Sequence, residues 1–157
     1  MVQVRREMRQ TTDVLMDIRR IRKMHEHMLK GLCETYQLTQ IEADIISFLY
    51  NNPEKDMAGD IVELRLLSKG NVSKAVDQLL QRKLIQKRQD VKDRRKVHLS
   101  LTSAADEILC DIKEINQVFW STIFEGFSDE EREQYEAFHI RISENTKRAM
   151  RKGGKHE

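Results

Sequence analysis

Apolar positions in the first segment of the chain recur at helical steps. From about Gln10 to Tyr36, Val14, Ile18, Ile21, His25, Met28 and Leu32 alternate four- and three-residue intervals, close to coiled-coil spacing. No Gly or Pro interrupts the stripe before Gly31, so it predicts one long helix. A seam this narrow packs on something large, and a second subunit is the natural candidate. LTQIEADIISFLYNNP comes next. Thr39 with Glu42 makes a capping box, so a second helix starts near Gln40 and buries Ile41, Ile45, Phe48 and Leu49. It must stop at Asn51-Asn52-Pro53. Asp56 is placed to cap a short third helix carrying Ile61 and Leu64, and RLLSKG predicts a turn with Ser68 as the next N-cap. The helix from Lys69 to about Lys83 then buries Val72, Val76, Leu79 and Leu80 and shows Lys69, Asn71, Ser73 and Lys74 at its N-terminal opposite face.

The period then changes from helical to two. LIQKRQ and KVHLSLT predict two short strands, the second alternating Val97, Leu99 and Leu101 with one face buried. Between them Lys92, Asp93, Arg94, Arg95 and Lys96 form a charged hairpin tip, a wing. Two long helices close the chain. One starts at Thr102 or Ser103 and runs to about Glu125, with Ile108, Ile112, Ile115, Phe119 and Ile123 in a stripe. The other starts at the capping box of Ser128 with Glu131, runs to about Arg151 along a seam of Tyr135, Phe138, Ile142 and Ala149, and leaves a frayed KGGKHE. The expected fold is mainly α with a small β-wing: a winged helix-turn-helix over 37–101, with long dimerisation helices over 1–36 and 102–157.

Composition narrows the class. The chain has 157 residues, 39% hydrophobic and 34% charged with one Pro, a charge-rich helical domain rather than a disordered one. No apolar run approaches the roughly 20 residues that span a bilayer, and MVQVRREMRQ shows no secretory pattern. Cys33 and Cys110 make no disulfide framework, which fits a reducing cytoplasm. Net charge is only +2, but Arg65 to His98 carries eleven Lys/Arg against three acids, a local +8 that leaves −6 elsewhere. Such a block is the footprint of a polyanion-binding surface, with a merely solvated face as the alternative.

Over Leu38 to Thr102 the chain resembles the multiple antibiotic resistance regulator (MarR) family of bacterial transcription factors. The resemblance is carried by LTQIEADIISFL, by SKGNVSKAVDQLLQRKLI and by DVKDRRKVHLSLT, whose D-x-x-D-R-R and L-x-L-T are similar to the family's wing signature. Ser103-Ala104-Ala105-Asp106 departs from the family's usual small pair and Gly after LT, and Arg82-Lys83-Leu84 lacks its Gly cap. The resemblance implies a homodimer that addresses a pseudo-palindromic DNA operator, usually to repress. It also implies release by a small anionic or phenolic ligand, an oxidant or zinc.

The residues expected to meet double-stranded DNA follow from both lines. Ser68, Asn71 and Ser73 supply hydrogen bonds to phosphate or base edges, and Lys69 and Lys74 supply phosphate charge. Arg88 and Lys92 are placed for phosphates. Asp93 is placed to orient Arg94 or Arg95, one or both of which enter the minor groove. An effector pocket between dimer helices and winged lobe is expected by resemblance, lined by Met16, Arg20, Met24, Tyr50 and Ile112, although Met at helical spacing also fits plain core.

Other chemistries find less support. Cys110 sits among Asp106, Glu107, Asp111 and Glu114, surroundings that disfavour a thiolate, so an oxidant-sensing MarR-type regulator is the alternative rather than the expectation. His25 and His27 project about 200° apart on a helix and cannot share a metal. Zinc-sensing relatives carry a His pair one turn apart in the fifth helix, which this sequence lacks; no metal and no cofactor is expected, and His25 is read as a packed interface residue. With no phosphate-cradling Gly loop and no nucleophile motif, an enzyme is not expected. The competing class is a winged-helix module for protein interaction, against which the basic block speaks. An organic effector is the expected trigger.

Overall fold

The structure, a computed structural model, describes residues 11–65 and 68–153. Within it lie α1 (Thr11–Tyr36), α2 (Gln40–Asn51), α3 (Ala58–Arg65), α4 (Lys69–Gln81), β1 (Ile85–Gln89), β2 (Val97–Leu101), α5 (Asp106–Ile123) and α6 (Asp129–Gly153). A 3-10 turn, Ser103–Ala105, leads into α5. Part of the expected RLLSKG turn and the last residues of the tail fall outside the described residues. The chain divides into two compact units, one ending at Phe119 and one beginning at Trp120.

The first unit is built around one apolar cluster. Ile45, Ile46, Ile61, Val72, Leu79 and Ile85 are its largest fully buried side chains, drawn from α2, α3, α4 and β1. Each such burial contributes about 1.5–3 kcal/mol. Leu29 and Leu32 at the end of α1 and Ile108, Leu109 and Ile112 at the start of α5 join the cluster. The two strands pair antiparallel in the register Ile85↔Leu101, Lys87↔Leu99 and Gln89↔Val97. Leu99 is buried while Val97, nearer the tip, stays 40% exposed, so only the base of the wing is core.

Local chemistry fixes the element ends. Thr39 caps α2: its Oγ1 accepts from Glu42 N (3.3 Å), and the Glu42 carboxylate accepts from Thr39 N (2.6 Å) and Thr39 Oγ1 (3.0 Å). The buried Glu42 is therefore satisfied at the positive end of a helix. The expected cap by Asp56 does not form. Asp60 accepts from Met57 N at 3.1 Å instead, and the Asp56 carboxylate is turned to the wing.

α1 and α4 end alike, in a left-handed residue that is not Gly. Gln37 has φ 52° and Lys83 has φ 58°. Leu38 N–H donates to Cys33 O (2.8 Å) and Leu84 N–H to Leu79 O (3.0 Å), which are Schellman closures with buried leucines just outside. Arg82 then ties the two ends together, donating to Tyr36 O at 2.7 Å and Gln37 O at 3.0 Å.

His25, expected on a subunit seam, makes contacts to α5 within its own chain. Its Nε2 lies 3.0 Å from Asn116 Oδ1 and its ring meets Phe119 edge-on at 4.9 Å. Tyr36 donates to Asp111 Oδ2 at 2.8 Å, a bond that pushes its phenol up to about 12. Together these bonds zip α1 to α5.

The second unit contains the end of α5 and α6. The Ser128 capping box forms as expected, with Ser128 N–H donating to Glu131 Oε2 (2.8 Å) and Glu131 N–H to Ser128 Oγ (3.2 Å). Phe124 stacks on Trp120 and meets Phe127 and Tyr135 edge-on. Along α6, Phe138, Ile140 and Ile142 remain 51–61% exposed, and no described side chain of the helix is buried.

Candidate nucleic-acid interface

α4 presents its N-terminal end to solvent because its apolar stripe holds the other face down. Val72, Ala75, Val76 and Leu79 are buried, whereas Ser68, Lys69, Asn71, Ser73 and Lys74 are all exposed. Ser68 is the N-cap, its Oγ accepting from Asn71 N at 3.3 Å, and its hydroxyl proton stays available to an acceptor. One helix end thus collects two ammonium groups, three polar side chains and unpaired backbone N–H groups.

The wing tip is folded by its own carboxylates. Asp90 Oδ1 accepts from Lys92 N and Asp93 N, both at 2.7 Å. Asp93 Oδ1 accepts from Arg95 N at 3.1 Å and Arg95 Nε at 3.3 Å, and Gln89 Nε2 donates to Arg94 O at 2.6 Å. Asp93 therefore directs Arg95, not Arg94. Among the described residues the Lys92, Arg94 and Lys96 side chains have no ion-pair partner, and all three are exposed. Val91 stands beside them 91% exposed. Arg88 lies opposite His98 on β1 and is exposed.

Behind the tip, His98 joins two distant carboxylates. Nδ1 lies 2.7 Å from Asp56 Oδ1 and Nε2 lies 3.0 Å from Asp90 Oδ2. Asp56 first and Asp90 second raise the imidazole above its ordinary value. The Asp93 and Lys92 backbone N–H groups and His98 hold the Asp90 carboxyl down at about 2. Leu99 N–H donates to Asp56 O at 2.8 Å, and Thr102 Oγ1 donates to Lys83 O at 2.6 Å. The wing is thus pinned both to the α2–α3 loop and to the end of α4. Sequence reading missed His98 and Asp56 here. The available signal was a His out of phase with the buried strand face, one residue before Leu99.

The residues expected to line one effector pocket are dispersed. Met16 and Arg20 border an open depression of about 290 Å³ with Asp13 and Asp17, and Arg20 donates to Asp17 at 3.0 Å. Met24 and Tyr50 do not line it; Tyr50 carries Lys113 over its ring at 4.1 Å. Ile112 is 2% exposed and belongs to the core cluster. Cys33 is half-buried, and burial, then Asp44, Glu42 and Glu34, pushes its thiol up, away from the reactive thiolate. Among the described residues no three His, Cys, Asp or Glu side chains form a metal-binding group, and no helix is long and apolar enough to cross a membrane.

Three helices followed by a two-stranded wing, with a basic face on the last helix, define a winged helix-turn-helix protein. Comparison with known proteins carries this one step further. Residues 36–96 match the family model described as MarR family. The chain is 28% identical over 116 residues to the uncharacterized HTH-type transcriptional regulator YkoM of Bacillus subtilis (strain 168), covering 74% of each chain. It superposes on S. aureus MepR in the DNA-binding conformation with a TM-score of 0.74 and 21% identity, covering 87% of this chain and 98% of that one. Bordetella bronchiseptica BpsR, whose DNA binding is regulated by 6-hydroxynicotinic acid, gives a TM-score of 0.64 at 21% identity over 83% of this chain and 98% of its own. Residues 36–96 are thus similar to the MarR family, and the chain shares the winged-helix fold of these solved regulators.

Proposed function

We propose that the chain is a homodimeric cytoplasmic repressor that reads a pseudo-palindromic operator and is released by a small aromatic or anionic effector. The observation that carries the reading is the pairing of two exposed cationic elements on one lobe. The N-terminal face of α4 holds Lys69 and Lys74, and a wing tip holds Lys92 and Arg94 without ion-pair partners among the described residues. Residues 37–101 do the reading. α4 enters the major groove with Ser68, Asn71 and Ser73 at base edges or phosphates, and Arg94 enters the adjoining minor groove while Arg95 is held by Asp93.

The flanking segments 1–36 and 102–157 join two copies, and the exposed apolar residues of α1 and α6 supply the surface. MepR in its DNA-binding conformation supports the first half of this reading, and regulation of BpsR by 6-hydroxynicotinic acid supports an organic effector. The raised Cys33 thiol favours that effector over an oxidant. Selection of duplexes from a random-sequence pool tests the proposal. The chain should enrich an inverted repeat with half-sites about 10 bp apart. A pool that stays random would overturn it. Thermal shift with aromatic acids should raise the melting temperature, and the same acids should weaken binding to the selected duplex.

A further inference from the structure

The wing tip is joined to the rest of the lobe through one imidazole. His98 Nδ1 faces Asp56 Oδ1 at 2.7 Å and Nε2 faces Asp90 Oδ2 at 3.0 Å, and each of the three side chains is only 24–28% exposed. A neutral imidazole has a single N–H and can donate to one carboxylate; only the imidazolium donates to both. The carboxylate at Nε2 is also the one that folds the tip, since Asp90 Oδ1 takes the Lys92 and Asp93 N–H groups. Deprotonation leaves a lone pair against one of the two carboxylates, and the longer contact, to Asp90, is the one at the root of the turn that presents Arg94.

We propose that the Asp56–His98–Asp90 bridge positions the wing for DNA, so that loss of the His98 proton frees the tip and weakens duplex binding. The idea rests on the DNA-reading role proposed above for Arg94. His98 and Asp90 are positioning residues acting through the tip.

The charges around the bridge set its direction. Arg88 lies directly across the strand pair from His98, and Lys96 stands two residues before it, just ahead of β2; both oppose the imidazolium. Glu54 and Lys55 precede Asp56 in the loop. α2 and α3 also pack on β2. On α3, Asp60 is committed to Met57 N, and α2 brings Glu42, held by Thr39, and Asp44. The two carboxylates in contact prevail, raising the imidazole. A group raised in this way keeps its full contribution below the ordinary imidazole value and loses it as pH rises through the raised one. On the acid side the contact that folds the tip persists, because the Asp90 carboxyl is held down at about 2.

The test uses the full chain and a duplex selected by it from a random pool. At fixed ionic strength, affinity should fall about fivefold between about pH 6 and about pH 8.5, at the low end of typical coupling between sites. Asp90→Asn should flatten that profile. Its amide oxygen still accepts the tip N–H groups, and its NH2 donates to neutral Nε2. In an Arg94→Ala background the pH dependence should vanish. A profile unchanged by Asp90→Asn, or intact without Arg94, would overturn the proposal. NMR titration of His98 in the free chain decides independently of DNA: an imidazole titrating at or below its ordinary value shows no bridge. Failure to select any duplex sinks the operator reading instead, and the titration still judges the bridge.

Discussion

The winged lobe and the last helix of this chain both carry apolar stripes, and the stripes meet opposite fates. In the lobe, α2 hides Ala43, Ile45, Ile46, Phe48 and Leu49, and α4 hides Val72, Ala75, Val76 and Leu79. In α6 the seam of Tyr135, Phe138 and Ile142 lies 39–61% exposed over a helix of 25 residues. The N-terminal half of α1 behaves in the same way, with Val14, Leu15, Ile18 and Ile21 exposed at 41–60%. One chain suffices to close the lobe, whereas the terminal helices carry apolar area that only another surface can cover. That contrast is the physical basis for assigning reading to the middle and joining to the ends.

Removing the ends is the harshest test. Deletion of residues 1–30, which takes away Leu29, or truncation after Phe127 should yield aggregated or unfolded protein by circular dichroism and gel filtration. A well-folded monomer from either would show that the ends join nothing. Within the lobe, the next effect is at the tip. Arg94→Ala together with Arg95→Ala should cost about 2 to 4 kcal/mol of duplex binding per dimer, one groove contact being lost from each lobe. Arg94→Ala alone should account for most of it. Asp93→Ala should also weaken binding at matched salt, because it removes the hydrogen bond to Arg95 N–H that shapes the turn presenting Arg94; tighter binding would reduce the tip to charge density.

Smaller still are the phosphate contacts. Lys74→Ala and Lys92→Ala should lower affinity on every sequence and flatten the log–log salt dependence by about one unit per lobe. Binding that ignores salt would remove the basic block from the interface. The smallest effect concerns folding alone. Lys83→Gly should stabilise the lobe by up to about 1 kcal/mol, read as a higher melting temperature, because φ 58° strains a side chain and not Gly.

Much of this architecture was legible in the sequence for reasons of periodicity. The stripes of α1, α2, α4 and α5 and the alternation around Leu99 each report a face, and capping boxes at Thr39 and Ser128 mark starts to within a residue. What stayed hidden was long-range or particular to one backbone angle. Asp56 and His98 are 42 residues apart, so no spacing rule joins them, and a cap at the third helix was the nearer guess. The departure at Arg82-Lys83-Leu84 was visible, but not that Lys83 adopts the glycine's angle and Arg82 clasps the end of α1. Two adjacent arginines are equivalent in sequence; only the hydrogen bonds to Asp93 tell them apart. The effector residues dispersed because Met and Tyr at helical spacing do not encode whether a neighbouring helix covers them, as α5's Ile112 shows from inside the core.

Sedimentation of the chain alone and with its selected duplex tests the division between reading lobe and joining ends most directly. A dimer is expected in free solution and two chains on each duplex carrying two half-sites, with a duplex of one half-site bound far more weakly. A stable monomer that occupies single half-sites with undiminished affinity would contradict it.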